Sequence, residues 1–166
     1  KIIPNPHFGL TQDAYVEYDR FMSEMEKELT AMHRMVNTAM AYQNQLKALM
    51  DQIKTDADRK DLYLAAQTLQ KRMQAWDESM VQRKSKAYDD VENFPNKFTA
   101  NYLYLINQSD SEIPRITQGS RDRLAELNAE WVTLKAEGNA LLQEEIPKFN
   151  ALAQEKGVGV LFVKNE

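Results

Sequence analysis

TQDAYVEYDRFMSEMEKELTAMHRMVNTAMAYQNQLKALMDQI, residues 11–53, is the stretch that decides the fold. Tyr18, Met22, Met25, Leu29, Met32, Val36, Ala39, Gln43, Leu46, Met50 and Ile53 fall at alternating spacings of four and three, and Gln43 alone is polar. That alternation keeps one stripe of a 3.6-residue helix facing a partner, and the positions between are rich in Glu, Lys, Asn and Gln. A helix of this length spans about 60 Å at 1.5 Å per residue. Thr11 is placed to cap its first turn, where Asp13 suits the helix dipole.

Lys54 to Arg59 interrupts the stripe with Thr55, Asp56 and Asp58. It restarts at Leu62, Ala66, Leu69, Met73, Trp76 and Met80. A short connection between long helices makes them antiparallel neighbours. From about Lys84 to Pro114 the pattern weakens. Phe98, Tyr102, Leu105 and Ile106 give a helix of three to four turns there, with Pro95 at its first position, where a missing N–H costs nothing. A last long helix starts near Thr117. It carries Leu124, Leu127, Trp131, Leu134, Gly138 and Leu141, then a shifted stripe of Leu142, Ile146, Phe149 and Leu152. Pro147 predicts a kink or break just before it, and Gly157 a stop. The tail Val158 to Val163 is apolar and outside any helical stripe. It reads as an extended segment covering a bundle seam, or as a strand pairing with a neighbouring domain.

The expected fold is therefore all-α: an antiparallel bundle of three long helices plus one short helix, with a short extended C-terminal tail. Residues 1–10 read as a linker, 11–157 as the bundle and 158–166 as the tail. Its core candidates are Met25, Leu29, Met32, Val36, Leu46, Leu69, Met73, Trp76, Leu124, Leu127, Trp131 and Leu134. Six of the eight methionines lie in the first helix. Such a stripe can form an adaptable binding groove, but its heptad spacing places it in the core.

Composition narrows function. The 166 residues carry a formal net charge of −4, which argues against a phosphate-binding surface built on clustered Lys and Arg. Arg83, Lys84 and Lys86 form a basic run that reads as a solvated helix end. With no cysteine, disulfides, zinc–thiolate sites and cysteine nucleophiles are excluded. The longest apolar stretch, Val158 to Val163, falls far short of the roughly 20 residues that cross a bilayer. The opening Lys1-Ile-Ile-Pro-Asn-Pro6, without Met or a signal sequence, suggests a mature fragment or an excised domain.

Candidate chemistry is sparse. His7 and His33 belong to no ligand spacing, and no Glu-x-x-His pair for a bundle di-metal centre exists. The glycines at 9, 119, 138, 157 and 159 form no phosphate-cradling loop. Two carboxylate pairs, Glu24 with Glu28 and Asp89 with Asp90, have the composition of a glycosidase centre. Glu24 and Glu28 flank the core stripe and read as a solvated face. Asp89 and Asp90, beside Tyr88 and Asn93, read as turn and cap chemistry. The expectation is no catalytic, cofactor-binding or metal-binding residue and no cofactor.

Several segments in linear order resemble the helical region that follows the β-propeller in BNR (Asp-box) repeat proteins of the sortilin type, often described as glycosyl hydrolases. Pro4-Asn-Pro-His-Phe-Gly-Leu-Thr-Gln-Asp13 is similar to the family's entry into its first helix, with Asn5 where aspartate and His7 where arginine is common. Lys84-Ser-Lys-Ala-Tyr-Asp-Asp-Val-Glu-Asn-Phe-Pro-Asn-Lys-Phe98 resembles its Lys-Ser … Asn-Tyr-Pro-x-Lys-Leu segment, and Ile113-Pro-Arg-Ile-Thr117 follows where a Pro-Thr element is usual. Trp131 to Leu134 and Ile146-Pro-Lys-Phe-Asn150 are similar to its final helix. The resemblance implies a non-catalytic C-terminal bundle packed on an upstream propeller of the same protein, with any catalytic residues in that propeller. It also implies export to the periplasm or beyond. The alternative is an independent coiled-coil interaction or dimerisation module, with the monomer the favoured state.

Overall fold

The computed structural model of the chain describes residues 9–111 and 114–164, apart from the side chains of residues 88 and 91. The N-terminal linker expectation for residues 1–8, His7 included, lies outside the described residues, as does Ile113.

Helix α1, Gln12–Ile53, begins where expected: the Thr11 hydroxyl accepts the Ala14 N–H at 3.4 Å. Its 42 residues make a rod of about 63 Å. Residues 54–59, closed by a 3₁₀ turn at Ala57–Arg59, turn the chain into α2, Lys60–Met80. Helix α3 is Phe98–Asp110. Helix α4, Gln118–Asn139, passes without a break through a π-helical segment, Ala140–Glu145, into α5, Ile146–Glu155. Among the described residues there is no β-strand, so the chain is the expected all-α bundle, with α1, α2 and the continuous α4–α5 as its long helices and α3 as the short one.

Contacts fix the directions of the rods. Glu17 meets Arg121, 104 positions on, and Glu28 meets Trp131, 103 positions on, so α1 and α4 run parallel. Along α2 the direction reverses: Lys156 reaches Asp61, Glu145 reaches Arg72, and Leu134 reaches Trp76. Helix α3 is also antiparallel to both outer rods, since Asp110 meets Tyr18 while Phe98 stacks on Trp131. Thus α2 and α3 are two lengths of one middle rod, laid end to end. The Thr99 hydroxyl donates to the Met80 carbonyl at 2.9 Å, so the first turn of α3 satisfies an orphan acceptor at the end of α2. The topology is up, down, up, with the downward rod interrupted by residues 81–97.

Heptad burial drives this assembly. Met25, Met32, Leu46, Leu62, Met73 and Leu127 are fully buried, with Val36, Leu69, Trp76, Trp131 and Leu134 also in the core; Leu29 and Leu124 pack against it while partly exposed. At about 1.5–3 kcal/mol per large apolar side chain, this burial is the dominant favourable contribution. Gly138 admits a close approach of α2 and α1 to α4. A methyl added there would lie 2.5 Å from the Met35 sulfur and 2.8 Å from the Trp76 ring, whose Nε1–H donates to the Leu134 carbonyl at 2.8 Å.

Three local expectations need correction. Pro95 does not open α3; the helix starts at Phe98, and the Pro95 carbonyl accepts from Gln82 at 3.1 Å in the preceding loop. Arg83 is not a solvated helix end. It lies beyond α2 and folds back as a two-point clasp on buried Asp77, at 2.8 and 2.7 Å. Of the kink or break expected before Pro147, the break does not occur. The widened π turn before it relieves the crowding of the proline ring and reroutes the Ile146 N–H five residues back to Leu141.

Helix α5 ends in the left-handed glycine expected. Gly157 has φ of +67°, its N–H bonds to Gln154 at 3.0 Å, and the Val158 N–H bonds to Ala153 at 2.9 Å, the paired closure of a Schellman motif. From there the chain runs extended along α1 and α5. Leu161 is buried between them, and neighbouring Val160 and Phe162 point outward.

Candidate functional site

The groove where α1, α3 and α4 meet gathers a cluster of polar and aromatic side chains from three helices. It has a volume of about 400 Å³ and is lined by Met25, Glu28, Tyr102, Asn128, Trp131 and Lys135 among others. Phe98, in the first turn of α3, stacks on Trp131 with ring centres 5.9 Å apart and planes inclined by 18°. That stacking directs the indole edge toward α1, and Nε1–H donates to the Glu28 carboxylate at 2.7 Å. Lys135, one turn further along α4, reaches the same carboxylate oxygen at 3.4 Å and lies 5.6 Å above the Trp131 ring. One helical turn earlier on α4, Asn128 accepts the Tyr102 hydroxyl at 3.1 Å.

The electrostatics follow from these partners. The Trp131 N–H, followed by the Lys135 charge, holds the Glu28 carboxyl below the usual carboxylate range against the opposing effect of burial. Burial first, and then the negative charges of Glu28 and Glu24, push the Tyr102 hydroxyl up to about 12. At neutral pH the pair is therefore a fixed carboxylate and a fixed phenol. General acid–base catalysis instead favours groups whose affinities approach the working pH. The cluster clamps α1, α3 and α4 together.

The other expected positions are placed as follows. Glu24 does not pair with Glu28; it meets Arg20 at 3.2 Å on the exposed face of α1. The solvated-face reading holds for Glu24 and fails for Glu28, because Trp131 reaches across from α4. Asp90 takes the N–H groups of Lys86 at 2.6 Å and Ala87 at 2.8 Å, bonds that hold its carboxyl below its ordinary range, while Asp89 stays exposed. Their 3₁₀ turn, Tyr88–Glu92, thus uses one carboxylate to organise its own backbone. His33 is exposed on α1. Among the described residues no group of His, Cys, Asp and Glu has the geometry of a metal site.

Two elements were not foreseen. The Asp77–Arg83 clasp joins residues six positions apart across a helix end, outside any helical spacing rule. At the far end of the molecule, the Gln45 and Asn150 side-chain amides each make two hydrogen bonds to the backbone of the tail. Asn150 accepts the Leu161 N–H at 2.8 Å and donates to its carbonyl at 2.9 Å; Gln45 does the same for Phe162 at 2.9 and 2.8 Å. The two amides close opposite edges of the extended chain, so a neighbouring strand has no free pairing groups at these two residues.

Among the described residues, no helix is long and apolar enough to cross a membrane. No protein-family model, no curated protein and no solved structure matches this chain.

Proposed function

We propose that this chain is a non-catalytic helical bundle that braces an adjoining domain. One observation carries this reading: the carboxylates with displaced affinities are spent on the bundle itself. Glu28 serves Trp131 and Lys135, Asp61 serves Lys156, Glu145 serves Lys148 and Arg72, and Asp90 serves its own turn; all four are shifted toward the charged form. Glu28, Asp61 and Glu145 each link one rod to another while Asp90 fixes a loop, and groups held in the charged form are poorly placed for proton transfer at neutral pH. The resemblance of Lys84 to Phe98 and of the final helix to BNR-repeat proteins supports a β-propeller as the braced neighbour, in a protein exported from the cytoplasm. Any glycosidase activity then belongs to the propeller.

A second reading has one observation in its favour. Val16, Met40, Leu64 and Val132 stand exposed on the long helices, as they would on a coiled-coil interaction or dimerisation module. Expressing the chain and the region encoded upstream of it as separate polypeptides tests between the two. Stable one-to-one co-purification is the expected result; failure to associate, with the chain self-associating instead, favours the second reading.

A further inference from the structure

We infer that the groove between α1 and α5 is a docking site for an extended peptide segment, occupied in cis by the chain's own tail and able to take the tail of a second copy. The groove recognises a backbone. Gln45 and Asn150 each present one donor and one acceptor, as a strand neighbour would, and bracket consecutive residues from opposite sides. One side chain is fully buried: Leu161 is 5% exposed, whereas Phe162 is 70% exposed and Val158 is only partly buried against the core. This is the geometry of a strand laid between two helices with one face down, and it sets the ligand's chemistry: extended, with leucine at the central position and any side chain at the next.

The tail is attached as a ligand on a hinge. Gly157 turns the chain by its positive φ at a single residue. Arg59 donates to the Lys156 carbonyl at 3.3 Å and Lys156 pairs with Asp61 at 2.7 Å, so α5 is anchored to α2 before the hinge and independently of the tail. Detachment costs the contacts of Leu161, the partial packing of Val158 and four hydrogen bonds, while the anchors of α5 on α2 remain. A second copy's tail reproduces each of those contacts without new surface, the condition for exchange between identical chains. In the intact protein the tethered tail competes at high effective concentration and keeps the site closed.

The full chain carrying Leu161→Asp, whose own tail is expelled, tests this against a synthetic peptide of residues 158–164 followed by NMR. Saturable shifts at the side-chain amides of Gln45 and Asn150, and at the backbone amides of α1 and α5 beside them, are expected. They should be lost when the peptide carries aspartate at the leucine position. Adding Gln45→Ala and Asn150→Ala to the chain should weaken binding about tenfold or more. The unsubstituted chain should show little binding at the same concentrations. A folded Leu161→Asp chain without saturable shifts overturns the proposal, and so does one that loses its helices, since the tail would then be core and not ligand. Hydrogen exchange of the unsubstituted chain gives a second test. The Leu161 and Phe162 amides should open well before the buried helical amides; opening only with global unfolding contradicts a detachable tail.

Discussion

At the residue scale, two side chains show how the rods are keyed together. Gly138 lets the Trp76 ring lie against α4, and a methyl group there would crowd both that ring and the Met35 sulfur. Alanine favours helix over glycine by about 1 kcal/mol, while overpacking a tight contact costs about 1–3 kcal/mol. The thioether can swing aside, but the indole is held by its bond to Leu134. Gly138→Ala should therefore lower the melting temperature; a rise would show that α2 and α4 are free to separate. Glu28 supplies the second case. Its folded affinity for protons lies below the ordinary value of 4.5, so the unfolded chain binds the proton more readily. The stability it contributes is complete above about pH 4.5 and is lost as pH falls through its lower folded value. Glu28→Gln should flatten that part of the acid-unfolding curve, measured by circular dichroism between pH 5 and 2. An unchanged slope would mean that Trp131 does not hold a carboxylate.

At the element scale, the helix ends are set by contacts that local patterns do not carry. The heptad of α1 was legible because burial repeats every few residues, and each of its apolar positions from Met22 onward is buried or packed against the core. The π segment also left a trace: the stripe slips by one position between Leu141 and Leu142, the phase error that one extra residue per turn produces. Pro147 predicted a kink or a break, and the same slip accommodates its ring without a break. The end of α2 had no such trace. Asp77 looks like an ordinary helical carboxylate until Arg83 folds back onto it, and the first turn of α3 caps α2 only after both have found the outer rods. The clasp should be asymmetric. Arg83→Ala leaves a buried carboxylate without its partner and should cost about 1–3 kcal/mol, whereas Asp77→Ala frees a guanidinium that water can reach and should cost less. Denaturant unfolding of the two variants measures the difference, and equal costs would contradict the assignment of Asp77 as the buried partner.

At the scale of the molecule, α1 runs unbroken along one side, α4 and α5 return parallel to it, and the middle rod is assembled from α2 and α3 with residues 81–97 looping out between them. Helix class and number could be read from periodicity. The tandem middle rod and the clamped groove could not, because they depend on pairs such as Glu28 with Trp131 and Tyr18 with Asp110, far apart in the chain and joined only after the rods have packed. The exposed faces carry isolated apolar side chains, whereas the buried stripes of all three rods are satisfied by one another. The heptad of α1 is thus buried within the chain, which predicts a bundle that needs no identical partner.

That claim, a bundle complete in one copy, is tested most directly by sedimentation equilibrium of the chain across a hundredfold range of concentration. A mass of 19.2 kDa throughout is the predicted result. A mass that doubles with concentration, and still does so in the Leu161→Asp chain whose tail cannot exchange, would contradict it, and would mean that the α1 stripe finds its partner in a second molecule.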